Sequence, residues 1–147
     1  MLLFASFWTI CHQKRSYDET VFTFKRIHTP EVWDMMEIIT TESQNTRIAG
    51  IKGRIDSSTA PEAEKLLRSF TEEGNGAVII DCCGLEYISS GGLRVLLVIE
   101  KELKGKSRHI TLCGLRPDVE KIFRLTGFTS IFTLEKTVQD AIEHTRG

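Results

Sequence analysis

The chain has 147 residues, 41% of them hydrophobic and 27% charged, with a formal net charge of -1 and a pI near 6.4. That length supports one domain with its own core, without metal or disulfide staples. A near-neutral balance excludes the broad basic footprint of a nucleic-acid binder and gives no pull toward an anionic membrane surface.

In chain order, "MLLFASFWTIC" comes first, an apolar run of about ten residues, too short to cross a bilayer. The positive charges His12, Lys14 and Arg15 follow it, where a secretory signal would carry them ahead. Three readings of this start stay open: a loosely docked extension, a membrane-surface segment, or upstream sequence translated from a misplaced start. The expected division is an N-terminal extension over 1–34, flexible or adding an edge strand, and one domain over 35–147. "VFTFKRIH" alternates weakly and is the stretch that would supply that edge strand. "MEIITTES" and "TRIAGIKG" flank Gln44 and Asn45 and are rich in Ile and Thr, which predicts an antiparallel hairpin.

"DSSTAPEAEKLLRSF" predicts a helix. Thr59 and Glu62 have capping-box spacing, Pro61 fits the first turn, and Ala63, Leu66, Leu67 and Phe70 form one apolar stripe. "EEGNG" ends it. "AVIID" predicts a strand buried on both faces. After "EYISSGGLRVLL", Leu93, Leu96, Leu97 and Leu103 give a second helical stripe, widened by Val95, Val98 and Ile99. "HITLCG" predicts a short strand, and "PDVEKIFRLTG" a helix with Val119, Ile122 and Phe123 inward and Gly127 as its stop. "SIFT" predicts a strand; Thr137 and Asp140 open a last helix with Val138, Ala141 and Ile142 inward. The fold class expected is α/β: a mixed sheet, opened by an antiparallel hairpin and continued by parallel βαβ units, packed with about four helices.

Several chemistries fail their own sequence tests. "GKS" at 105–107 lacks the glycine a phosphate loop needs five residues earlier, where Glu100 stands. Ser90 lacks the G-x-S-x-G of a hydrolase elbow, since Ile88 occupies the first glycine's place. His12, His28, His109 and His144 form no metal-ligand spacing. Cys11, Cys82, Cys83 and Cys113 form no CxxC pair. The adjacent Cys82 and Cys83 read as small buried hydrophobes, which fits a reducing, cytoplasmic compartment. No enzyme, metal or cofactor is expected.

What remains is Ser89, Ser90, Gly91 and Gly92 at a strand-to-helix junction. One serine suffices to cap the helix, and glycines allow a tight turn. The alternative uses the same physics. Unpaired N–H groups at a helix start favour a phosphate, and two glycines leave a hydroxyl open to a kinase.

"IIDCCGLEYISSGGLRVLL" resembles the signature of the STAS domain, named for sulphate transporters and anti-sigma-factor antagonists. "GRIDSSTAPEAEKLL" is similar to the family's upstream motif, and "LCGLRPDVEKIFRLTGFTSIFTLEKTVQDAI" to its C-terminal half. The resemblance runs from Met36 to Glu143, closer to the soluble bacterial antagonists than to the transporters. It implies a partner switch that regulates transcription indirectly. The unphosphorylated protein binds an anti-sigma factor that is also a serine kinase, phosphorylation on serine releases it, and a PP2C-type phosphatase resets it. By position the phosphoacceptor matches Ser90. Many relatives carry Asp before that serine; here it is Ser89, which is the alternative acceptor. Asp56 matches a loop aspartate that helps contact the kinase; its other reading is a turn residue bonding its own backbone. Asp56, Ser57, Ser58, Ser89, Gly91, Gly92 and Arg94 are the docking residues the resemblance implies. It further implies no direct nucleic-acid binding, no membrane insertion, and a monomer or weak dimer. Two other roles stay open: an unphosphorylated scaffold subunit of a membrane transport or signalling complex, and, more weakly, nucleotide binding.

Overall fold

In the computed structural model of the chain, the residues described are 25–27, 36–43 and 45–146. The rest of the N-terminal extension lies outside them. They build one six-stranded sheet whose strands neighbour each other in chain order. β1 (Lys25–Ile27), β2 (Met36–Ser43) and β3 (Thr46–Ile55) run antiparallel to one another in sequence, β1 with β2 and β2 with β3. β4 (Ala77–Ile88), β5 (Ile110–Cys113) and β6 (Thr133–Glu135) continue from β3 in parallel. The helices α1 (Ala60–Glu72), α2 (Ser90–Lys104), α3 (Pro117–Leu125) and α4 (Val138–Arg146) follow β3, β4, β5 and β6 in turn.

The antiparallel pairing of β2 with β3 and the mixed sheet packed with four helices stand as the sequence predicts. The first three helices share one face. Ala63, Leu67, Phe70, Leu96, Ile99 and Phe123 pack there with Val78, Ile80 and Cys82 of β4. α4 covers the other face, where Val138, Ala141 and Ile142 meet Ile48, Ile79 and Cys113. Alternation along β4 sends successive apolar residues into both layers, which is why that run carries no polar face.

Four sequence readings are corrected. β4 does not stop at Asp81 but continues to Ile88, with two irregularities in its pairing to β3. The "SIFT" strand starts later, at Thr133, because Phe128–Ser130 coil into a 3-10 turn that packs Phe128 and Phe132 against Phe123. The Thr59–Glu62 capping box does not form. Thr59 makes no side-chain cap bond to α1, and Glu62 Oε1 is buried without a partner. Cys82 and Cys113 are buried, and burial with the neighbouring Asp81 charge drives the Cys82 thiol far up. Cys83 is half-buried and disulfide-bonded instead.

"GKS" wraps the C-terminus of α2. Lys106 and Arg108 donate backbone N–H bonds to the Leu103 carbonyl at 2.8 and 2.9 Å. Two arginines from distant positions close the end of α1, whose last turn holds no basic residue. Arg47 donates to the carbonyls of Phe70 and Glu73. Arg108 donates to Thr71 O at 2.9 Å and Gly76 O at 2.7 Å. α2 is tied to β5 by the buried Glu100. Its Oε2 accepts the Ile110 N–H at 2.8 Å, and its Oε1 lies 3.0 Å from His109 Nδ1. Glu100→Ala leaves that strand N–H unpaired in the core and is expected to cost about 1–3 kcal/mol, read as a lower urea midpoint with an unchanged m-value.

Candidate functional site

The candidate site lies at the carboxyl ends of β3 and β4, where their chains turn into α1 and α2. Register pairs Arg54 with Tyr87 and Ile55 with Ile88, so the two strands end level. The Ser89 N–H donates to Ile55 O at 2.8 Å and fastens one turn to the other. The loop of Asp56, Ser57 and Ser58 therefore adjoins Ser89 and the first helical residues Ser90 and Gly91, although a 33-residue separation divides Asp56 from Ser89 in the chain.

The two serines have different roles. Ser89 is the N-cap of α2, extended at φ -88 and ψ 174, and its Oγ accepts the Gly92 N–H at 3.2 Å. Ser89 is half-buried. Ser90 is the first helical residue, exposed, and takes no part in the cap. One hydroxyl thus satisfies the helix, and the second is presented to solvent.

The glycines differ as well. Gly91 is half-exposed, and a Cβ there would meet Ser89 Oγ at 3.5 Å and Ala60 Cβ at 3.7 Å, ordinary contacts. Gly92 is buried; a Cβ would stand 2.6 Å from Ile88 Cγ1 and 2.8 Å from Ile55 Cγ2. Gly92 seats α2 on the sheet. Arg94 is exposed on α2.

Asp56 organises its loop. Its Oδ1 accepts from the Ser58 hydroxyl at 2.6 Å, the Ser58 N–H at 2.9 Å and the Thr59 N–H at 3.2 Å. In return Thr59 Oγ1 accepts the Asp56 N–H at 2.9 Å and donates to Arg54 O. The Ala60 N–H already reaches Asp56 O at 2.8 Å, so this aspartate caps the turn leading into α1. The Ser58 hydroxyl and N–H, then the Thr59 N–H and the Arg54 charge, hold its carboxyl below the usual carboxylate range. The cap is complete above the ordinary carboxylate pKa and is lost only as pH falls through the lowered one.

Sequence reading missed a stack beside this site. The Arg54 guanidinium lies 4.8 Å from the centre of the Tyr87 ring, which is 40% exposed. No local signal links residues so far apart; only the parallel register brings them together. Ser90 is exposed. Clefts of about 520 and 450 Å³ lie elsewhere, one between α3 and the start of α4, the other along α1, and neither is lined by Ser90 or Asp56. Among the described residues no cluster of His, Cys, Asp or Glu could hold a metal ion, and no helix is long and apolar enough to cross a membrane. Exposed hydroxyls, a capped aspartate and an exposed arginine offer a protein partner polar contacts from two adjoining elements.

Comparison with known proteins agrees with this architecture. The chain is 36% identical over 94 residues to BtrV of Bordetella bronchiseptica, named as a candidate anti-sigma factor antagonist; the match covers 64% of this chain and 81% of that one. The crystal structure of an anti-sigma factor antagonist from Mycobacterium paratuberculosis superimposes with a TM-score of 0.72 at 25% identity, covering 82% of this chain and all of that one. The unphosphorylated form of the anti-sigma factor antagonist SpoIIAA shares the fold, with a TM-score of 0.60 at 19% identity over 85% of this chain and 97% of that one. The STAS domain model matches residues 37–141, which takes in β2 through the first turn of α4 and every residue of the site, and the chain belongs to the STAS domain family.

Proposed function

We propose that the protein is a cytoplasmic anti-sigma factor antagonist that binds an anti-sigma factor with serine kinase activity and is released when Ser90 is phosphorylated. The observation that carries this reading is the division of labour at α2: Ser89 caps the helix, so the exposed Ser90 hydroxyl serves no structural purpose. The names of BtrV and the Mycobacterium paratuberculosis protein support the antagonist role. Asp56 would act by shaping the adjoining loop, with Ser57 and Ser58 exposed on it.

The chemistry is a phosphoryl transfer. The γ-phosphoryl group of ATP passes to Ser90 Oγ, ADP leaves, and the hydroxyl proton is taken up by the kinase. The product carries about −1.5 to −2 charges that an interface must desolvate. A loss of about 3 kcal/mol lowers affinity about a hundredfold. A PP2C-type phosphatase would restore the serine.

The test is intact mass and phosphosite mapping after incubation with ATP and the serine kinases of the source bacterium, with Ser90→Ala and Ser89→Ala in parallel. One phosphate, absent only from Ser90→Ala, is the expected result, and Ser90→Asp then releases the kinase with about hundredfold weaker binding. A phosphate absent only from Ser89→Ala moves the acceptor to Ser89. No phosphate from any kinase overturns the switch in favour of an unphosphorylated scaffold.

A further inference from the structure

We propose that Arg94 is the intramolecular receptor for the phosphoryl group on Ser90, so that α2 carries both the acceptor and its counter-ion one turn apart. This rests on the phosphorylation reading above. Ser90 and Arg94 are both exposed and stand four residues apart on one helix. Side chains at that spacing share a face, with Cβ atoms about 5–6 Å apart.

Within its own helix Arg94 has no competing partner. The helix positions three and four residues away on either side are Ser90, Gly91, Leu97 and Val98. Ser90 is the one polar side chain among them. The first turn of α2 holds no acidic residue, and Gly91 places no side chain between Ser90 and Arg94. Three arginines elsewhere are already committed. Arg68 grips Glu102 at 2.7 Å, Arg108 holds backbone carbonyls, and Arg54 lies over Tyr87. Among the described residues Arg94 makes no hydrogen bond or ion pair, so its planar fork is available to two phosphate oxygens at once.

Phosphorylation then changes the docking face twice. It adds an anion at Ser90, and it folds the Arg94 cation onto that anion, away from a partner. Release combines a new charge with the withdrawal of an existing contact.

The test needs no kinase. Phosphoserine is inserted at position 90 during translation of the full chain, and its second ionisation is followed by phosphorus NMR against pH. A phosphoserine ordinarily titrates near pH 6. With Arg94 present the midpoint is expected lower than in Arg94→Gln by about half a pH unit or more, as an adjacent opposite charge requires. Asp56 of the adjoining loop, with Arg54 beside it, is present in every variant, so the difference isolates Arg94. Lys101→Gln, an exposed change further along α2, is expected to leave the midpoint in place. Equal midpoints in the parent and Arg94→Gln overturn the proposal, as does an equal shift from Lys101→Gln. A chain that no kinase modifies would defeat the phosphorylation reading and leave this measurement intact.

Discussion

Gly92→Ala is expected to destabilise the protein by about 2–3 kcal/mol and to lower its melting temperature by on the order of 10 °C, while Gly91→Ala leaves stability unchanged or raises it. The new Cβ at Gly92 would stand 2.6 Å from Ile88 Cγ1, 2.8 Å from Ile55 Cγ2 and 3.0 Å from Ile55 O. Both isoleucines are buried, at 1% and 0% exposure, so neither side chain has space to retreat into. The Ile55 carbonyl is held by the Ser89 N–H. At Gly91 the contacts begin at 3.5 Å, and alanine is the better helix former by about 1 kcal/mol. Thermal melts followed by circular dichroism compare the two neighbours directly. Equal losses at both positions would show that the close approach of α2 to β3 and β4 is not what requires glycine.

Arg47→Ala is expected to cost about 3 kcal/mol or more, seen as a lower denaturant midpoint, because it strips several groups of their partner together. Arg47 is 7% exposed, and its guanidinium donates to the carbonyls of Phe70 and Glu73. It also lies over the Phe70 ring at 4.5 Å. Nε sits 2.6 Å from Glu42 Oε1, near enough for charge attraction though not aligned as a hydrogen bond. Removing the side chain orphans two helix-end carbonyls and opens a void beside Phe70. Arg47→Lys is expected to recover only part of the loss, since one ammonium group replaces a planar fork that serves two carbonyls and two carboxylates. Full recovery in Arg47→Lys would reduce the role of Arg47 to that of a charge.

Helical spacing was legible where it was regular. The predicted inward residues Ala63, Leu66, Leu67 and Phe70 of α1 are buried, as are Leu93, Leu96 and Leu103 of α2. The cap of α1 was not legible, because Asp56, Ser57, Ser58 and Thr59 are all capping residues and short-range pattern cannot choose among them. The choice depends on the end of β3, where Thr59 Oγ1 is drawn to Arg54 O and leaves Asp56 to hold the turn. β4 ran past its expected end because irregular pairing near Gly84 and Tyr87 breaks the two-residue alternation on which strand reading relies. At the site the pair of serines was visible, but their roles were not. Which hydroxyl bends back to the Gly92 N–H depends on backbone angles at Ser89 that neighbouring identical residues cannot reveal.

The fit of Gly92 against Ile55 and Ile88 limits how a mark on Ser90 could be read. A helix wedged there without a spare methyl's width cannot tilt or slide to relay a modification to the far side of the sheet. A phosphate on Ser90 would then act as a stamp and not as a lever: the backbones of marked and unmarked chains would superimpose, and the difference, the phosphate and the side chain it draws in, would exist only for a partner that touches the marked surface. Erasing it would require removal of the phosphate alone, with no refolding step to slow the next cycle.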